Sequence, residues 1–489
     1  RHRLPPPHDG TCHASALMTV PSDQPTSTTP QPVQPLFFHI PPYGIHREAR
    51  GWAFDAIGRS VSFIGNAVFV GTAVIHLARI DAGCEVEDNE CTGRTSYGIR
   101  PSSFLSLYSV IVGLASSALL PLLGAIVDYT SHRRAVGKLS AVVYCVLLVP
   151  MIFISTTTWF PTCIVLIFSA FVGWIHSGVA FAYLPEMSES PKVLERLNTS
   201  FAAIQFGSDV VYIVFVVSIT TALGRIDDSV FTARLAQSIS FVVTSLAWWY
   251  SWWKLLQHRT AISSLPDGRG LLTAGFIQIY HTSINVWKNH RDLAFLYVSI
   301  AFSESATQAL VVIGTTFSIE LLNFSSVDTG ITFLILLVFS AVGCYISPFS
   351  LRRMSPIRSN QLCLFSIGLC TGLVVSFVTT DGQRGLFYMF ACVWGLCGGW
   401  KYTIERYLTC ATIPRGHDAE LMGMYLFAGQ ILAWLPPLVF TAMNEAGVSI
   451  RISMLSLLVF WSTSIAFLQC MGTCNNTGED ANAADHETI

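Results

Sequence analysis

Asp55 and Arg59 stand four residues apart in RGWAFDAIGRS, Asp209 sits in AAIQFGSDVVYIVF, and Glu304 and Gln308 are one turn apart in SESATQ. All lie inside runs that are otherwise apolar. An ionised group left alone in hydrocarbon is costly, so such residues either neutralise one another or handle a polar solute or a proton. Asp55 and Arg59 can pair across a helical turn, which would make them structural. Alternatively, Arg59 and Glu304 supply two poles from facing halves, the pair of charges that a zwitterion needs. A carboxyl at that depth can equally take up a proton, because burial disfavours its charged form. The sequence leaves these roles open. Asn66 and Gln430 are the further amides at membrane depth, Gln430 lying roughly 16 Å into its span at helical rise.

Other polar groups have plainer readings. His176 in GWIHSGVAF is either a satisfied structural histidine or a proton relay. Lys401 ends an apolar run, where a lysine is expected to snorkel to the interface. Trp248, Trp249, Trp252 and Trp253 cluster near a span end and read as an interfacial belt. The thirteen cysteines form no C-x-x-C pair and no zinc spacing, and most lie in apolar runs. Cys84 and Cys91 differ, since both fall in the polar stretch DAGCEVEDNEC, where a disulfide is expected if that loop faces an oxidising lumen. There is no P-loop, H-E-x-x-H or nucleophile elbow, so no catalytic residue, metal or cofactor is expected. An intramembrane enzyme would need Asp209 and Glu304 to converge on one substrate.

These residues must be positioned by membrane helices. The chain of 489 residues is 52% hydrophobic and 12% charged, with positive mean hydropathy, against roughly 25% charged in soluble domains. Its net charge of −2 and lack of a basic stripe exclude nucleic acid as a partner. Apolar runs long enough to cross a core about 30 Å thick recur from Gly51 onward. We place spans near 52–78, 103–128, 138–157, 160–183, 199–221, 233–256, 292–319, 328–350, 360–379, 385–404, 419–443 and 450–471. The predicted fold class is an all-α membrane protein of about twelve helices in two six-helix halves, 51–256 and 292–471, embedded in membrane lipid.

Residues 1–50, rich in Pro, Ser, Thr and Gln, read as a disordered tail, and 472–489 as a second. The chain begins at Arg1 rather than a methionine, so a longer natural N-terminus is expected. The connection 257–291 joins the halves, and its segment LLTAGFIQIYHTSINVW reads as an interfacial helix or a plain linker helix. Most Lys and Arg, including Arg133, Arg134, Arg196, Arg352 and Arg415, fall in the even-numbered connections, which places both tails in the cytosol.

The loops carry two resemblances. Gly124, Asp128, Arg133 and Arg134 give G-x-x-x-D-x-x-x-x-R-R after the second span, which resembles the loop signature of the major facilitator superfamily. Its physical sense is a latch, with Asp128 accepting from helix amides and arginines on the cytosolic side. More of the chain is involved in the second. RGWAFDAIGRS, FAYLPEM, and Arg406 followed by IPRGHDAELMGMYLFAGQILAWLPP together resemble the vacuolar amino-acid effluxer family, autophagy-related protein 22. In the last segment Pro414, Gly416, Glu420, Gly423, Gly429 and Trp434 keep the family's spacing, while Gln430 stands where a lysine is usual.

The resemblance implies the major facilitator fold and export of amino acids from a vacuole or lysosome to the cytosol by alternating access, linked to autophagic recycling. Arg406 with Glu420 is then expected to act as a cytosolic gate pair beside Asp128. A non-transporting amino-acid sensor, or a carrier of a different solute in another membrane, is the alternative. Proton coupling is left open.

Overall fold

The computed structural model describes residues 45–84, 91–183, 187, 191–261, 265, 270–413 and 418–486. Every described regular element is helical. Span one is a single column from Ile45 to Asp81: α1 (Ile45–Ile64), a π-helical turn (Gly65–Val70) and α2 (Gly71–Asp81). The rest of the first half is α3 (Phe104–Tyr129), α4 (Arg133–Met151), α5 (Trp159–Phe181), α6 (Pro191–Ala222) and α7 (Ser229–Trp249), which runs on into a second π turn, Tyr250–Leu255.

The connection forms α8 (Leu271–Asn289), and α9 (Arg291–Leu322) opens the second half. It continues with α10 (Ser326–Leu351), α11 (Pro356–Phe377) and α12 (Arg384–Thr412). Span eleven is α13 (Asp418–Ile431) with α14 (Leu435–Glu445), and span twelve is α15 (Ile450–Met454) with α16 (Ser456–His486). The column α16 does not stop at 471, where a disordered tail was expected, but continues as helix to His486, a stretch that contains no proline. Residues 1–44 lie outside the described residues.

Eleven helical stretches among the described residues are long and apolar enough to cross a membrane. The twelfth, α12, has the length, with 29 residues. Its apolar character is diluted by glycines, tryptophans and the charged residues Lys401, Glu405 and Arg406.

Helix ends follow from local chemistry. Asp228 accepts from the Phe231 amide to start α7. Ser325 and Asp328 form a capping box at α10, and Ser355 with Pro356 opens α11. Asn323, at φ 50°, closes α9 in the left-handed conformation that asparagine tolerates.

Lipid offers no hydrophobic drive between helices, so close packing must hold them together. A Cβ on Gly343 would come 2.0 Å from the Leu396 carbonyl oxygen, and one on Gly399 1.9 Å from that of Ser340. Only glycine lets α10 and α12 approach that closely. In the first half Trp252 fills the space over Gly137, where a Cβ would lie 2.0 Å from its ring.

Candidate functional site

Two clusters of charge lie inside the helices, one in each half. In the first, α1 presents Asp55 and Arg59 one turn apart, and Arg59 Nε donates to Asp55 Oδ2 at 2.7 Å. The other carboxylate oxygen, Oδ1, receives His176 Nε2 from α5 at 2.8 Å and Trp252 Nε1 at 2.8 Å. Ser140 Oγ contacts His176 Nδ1 at 2.9 Å. The Arg59 guanidinium lies between the rings of Trp52 and Phe181, 4.7 and 4.8 Å from their centroids, a favourable stacking for a weakly hydrated cation. Its Nη2 is buried and has no hydrogen-bond partner among the described residues.

Above it in the same column, Asn66 sits in the π turn. Its Nδ2 donates to Tyr144 Oη at 3.0 Å, and its Oδ1 accepts from Gln237 Nε2 at 3.1 Å. A π turn breaks the ordinary ladder, and it often marks a position with a functional demand.

The second cluster joins α9 to α12. Lys401 Nζ donates to Glu304 Oε2 at 2.6 Å and to Glu405 Oε2 at 2.9 Å. Ser303 Oγ donates to Glu405 Oε1 at 2.7 Å, and Gln308 Nε2 reaches Glu304 Oε1 at 3.4 Å. The side chains of Lys401 and Glu405 are each 2% exposed, whereas Glu304 keeps 25%. Glu304 is therefore the member that a solute or water can reach. Gly429 of α13 faces it, at a distance where a Cβ would lie 3.5 Å from Glu304 Cγ.

Several expectations change. Lys401 does not snorkel: two carboxylates hold it in the interior, and their attraction outweighs the pull of the interface. Trp248 and Trp252 are not interfacial. Both are buried against His176, with Trp248 Nε1 donating to the Asp55 carbonyl at 3.1 Å; only Trp249 and Trp253 face outward. Arg59 and Glu304 are each already engaged within their own half.

Arg406 donates to Tyr402 Oη at 2.6 Å, while the Glu420 side chain lies outside the described ones, as does that of Asp128. Gly124 is exposed. Arg133 Nε donates to the Val127 carbonyl at 2.8 Å, and Arg134 Nη2 to the Trp253 carbonyl at 3.3 Å. For Gln430 the described bond is through its carbonyl, which accepts from Ser117 of α3 at 2.9 Å. Asp209 is buried on α6 and bonded to Ser60 of α1.

The sequence reading passed over Glu405, although Lys401 and Glu405 have the same four-residue spacing that drew attention to Asp55 and Arg59. It also missed a seam at the end remote from the arginine-rich loops. There Arg79 Nη1 meets Glu320 Oε2 at 3.3 Å, and the Cys91 amide reaches the same oxygen at 3.3 Å. Cys84 and Cys91 are joined by a disulfide, with their Cα atoms 5.8 Å apart. His76 Nε2 donates to the Phe324 carbonyl at 2.9 Å, and Asn444 Nδ2 donates to Ser102 and Ser103, both at 2.7 Å. Arg94 pairs with Glu445 at 2.9 Å. Among the described residues, the hydrogen bonds between halves concentrate at this end and at mid-depth.

A groove of about 440 Å³ between α11 and α16 is lined by residues such as Phe365, Gly368, Leu458 and Trp461 and holds none of the charged residues. It is separate from both clusters.

The architecture, with two six-helix bundles and charged residues facing inward, is that of a membrane carrier. The sequence profile of the Major Facilitator Superfamily matches residues 56–437, and the chain belongs to that family. Among solved structures it is similar to the nucleoside transporter NupG, with TM-score 0.59, 13% identity, and 88% of this chain and 99% of that one covered. It is also similar to the POT family transporter PepTSo, with TM-score 0.62, 11% identity, and coverage of 89% and 99%. No curated protein matches the sequence. At these identities the likeness is one of fold.

Proposed function

We propose that this transporter exports amino acids from a vacuolar or lysosomal lumen to the cytosol by alternating access. The observation that carries the reading is the Glu304–Lys401–Glu405 cluster: a buried lysine between two carboxylates, with one carboxylate open to approach. Counting both carboxylates as ionised, the cluster has one negative charge in excess, suited to the ammonium of an amino acid. In the facing half, Arg59 has an unfilled guanidinium nitrogen suited to the carboxylate. The resemblance of the Arg406–Pro437 segment to the autophagy-related protein 22 family supports the same substrate class, and the positive-inside distribution supports cytosolic tails.

In this reading the end rich in arginines is cytosolic and the disulfide end lumenal. The inter-half bonds at the lumenal end then belong to a conformation closed to the lumen. Asp128 and Arg133 with Arg134, and Arg406 with Glu420, act on the opposite side when that side closes.

The test is flux in reconstituted liposomes with a panel of amino acids under two pH gradients, with dipeptides and nucleosides included because the similar structures are transporters of peptides and nucleosides. Amino acids are expected to move, and Glu304→Gln, which removes the accessible charge, is expected to cut that flux at least tenfold. Amino-acid flux that is absent from the wild type, or unaltered by Glu304→Gln in protein that inserts normally, would overturn the assignment.

A further inference from the structure

Asp209 belongs to neither charged cluster. It lies on α6, 5% exposed, about ten residues from Ser200 where the apolar stretch begins. One residue of α1, Ser60, meets it: Ser60 Oγ is hydrogen-bonded to Asp209 Oδ1. The same Oγ lies 2.8 Å from the Gln205 carbonyl oxygen.

The hydrogens available are compatible with a protonated carboxyl. A serine hydroxyl has one hydrogen, a carbonyl can only accept, and an ionised carboxylate can only accept. The Gln205 carbonyl is also the regular helical acceptor of the Asp209 amide, so the single hydroxyl hydrogen of Ser60 is free to serve either oxygen. Both contacts are satisfied if the carboxyl carries a proton: Asp209 donates to Ser60 Oγ, and Ser60 donates to Gln205.

The surroundings agree. Asp209 takes part in no ion pair among the described residues. On α1 the nearest charges, Asp55 and Arg59, are engaged with each other. On α7, Arg234 donates to the Ile154 carbonyl, and Tyr212 of α6 itself donates to the Ala236 carbonyl. On α10 the carboxylate is Asp328, at the lumenal start, held by Ser325 and Tyr388. A buried carboxylate without a counter-charge neutralises instead of staying ionised.

We propose that Asp209 is a proton-binding site of this carrier, occupied in the present conformation, with Ser60 as the residue that positions the proton. Binding adds one proton to Oδ1 and takes the carboxyl from −1 to neutral; release to water reverses it. Nothing else is made or broken. Its use in driving solute movement rests on the transport reading above, but its existence does not.

Infrared spectroscopy of the purified protein in lipid nanodiscs at neutral pH tests it without any solute. A carbonyl stretch of a protonated carboxylic acid is expected, lost in Asp209→Asn and shifted in frequency in Ser60→Ala. Ser60→Ala removes a hydroxyl that accepts from the acid but turns to donate more strongly to the ionised carboxylate, so the midpoint at which the band disappears with rising pH should rise by roughly one unit. A merely structural serine would not move that midpoint. A spectrum in which neither variant alters such a band overturns the proposal, and should Asp209→Asn fail to insert, Ser60→Ala decides alone. Liposome flux separates the two readings: if no amino acid moves in the wild type, the substrate assignment falls while the infrared result still judges Asp209.

Discussion

Lys401 is held by two carboxylates in a place where it could not stay alone. Removing one partner of a buried charged set leaves the others uncompensated, at about 3–5 kcal/mol. Lys401→Met should therefore lower the detergent melting temperature sharply, and adding Glu405→Gln should recover part of the loss, since one stranded carboxylate is then gone. An unchanged melting temperature in the single variant would mean that the lysine is not charged in the folded protein. Asp55 differs in having several donors, from Arg59, His176 and Trp252, so its carboxylate is satisfied from three directions. That density of bonding suits a fixed support for Arg59, whose remaining nitrogen is the one we propose for the solute carboxylate.

At the scale of elements, α10 and α12 are locked by reciprocal glycines, Gly343 against Leu396 and Gly399 against Ser340. Gly399→Ala would push a methyl into backbone and should cost about 1–3 kcal/mol, read as a lower melting temperature. Since Lys401 and Glu405 ride on α12, the same variant should also impair flux. Gly382→Ala, at a site with open space around it, should do neither. Most elements were legible in the sequence because a membrane helix is specified by length and hydropathy, which no partner needs to supply. The span expected at 385–404 lies inside α12, and the connection expected to hold a helix forms α8.

Side-chain direction was less legible. Trp248 and Trp252 look like a belt when read along the chain, but residues four apart in WWYSWW share one helix face, and the pair on the inward face finds Asp55. Lys401 misled for a related reason: Glu405 stands four residues on in the same run, but nothing in that run shows that Glu304 of α9 meets its inner face. Glu320, in turn, gained its meaning only from Arg79 of the other half, 241 residues away.

For the whole molecule, the seam of Arg79, Glu320, His76 and Asn444 joins the halves at one end. Breaking it should favour the state open at that end. With a reporter at Ser103→Cys, Arg79→Ala should raise labelling by an impermeant maleimide applied from the side of the disulfide, and equal labelling in both backgrounds would show that the seam bears no part of the closure. The disulfide places the Cys91 amide on Glu320, so the loop between α2 and α3 is tied to the same carboxylate as Arg79.

The wide turn Gly65–Val70 splits the first column into α1, which carries Asp55, Arg59 and Ser60, and α2, which carries His76 and Arg79. Such a turn accommodates one residue more than the regular spiral needs. Deleting Ala67 should let the column close into an unbroken spiral while both flanking stretches keep their bearings, so Arg79 would still find Glu320 and the melting temperature would hold. What would vanish is the compliance between the two stretches. Solute flux lost in such a shortened but stable protein would identify those six residues as a joint, and undiminished flux would reduce them to an inherited insertion.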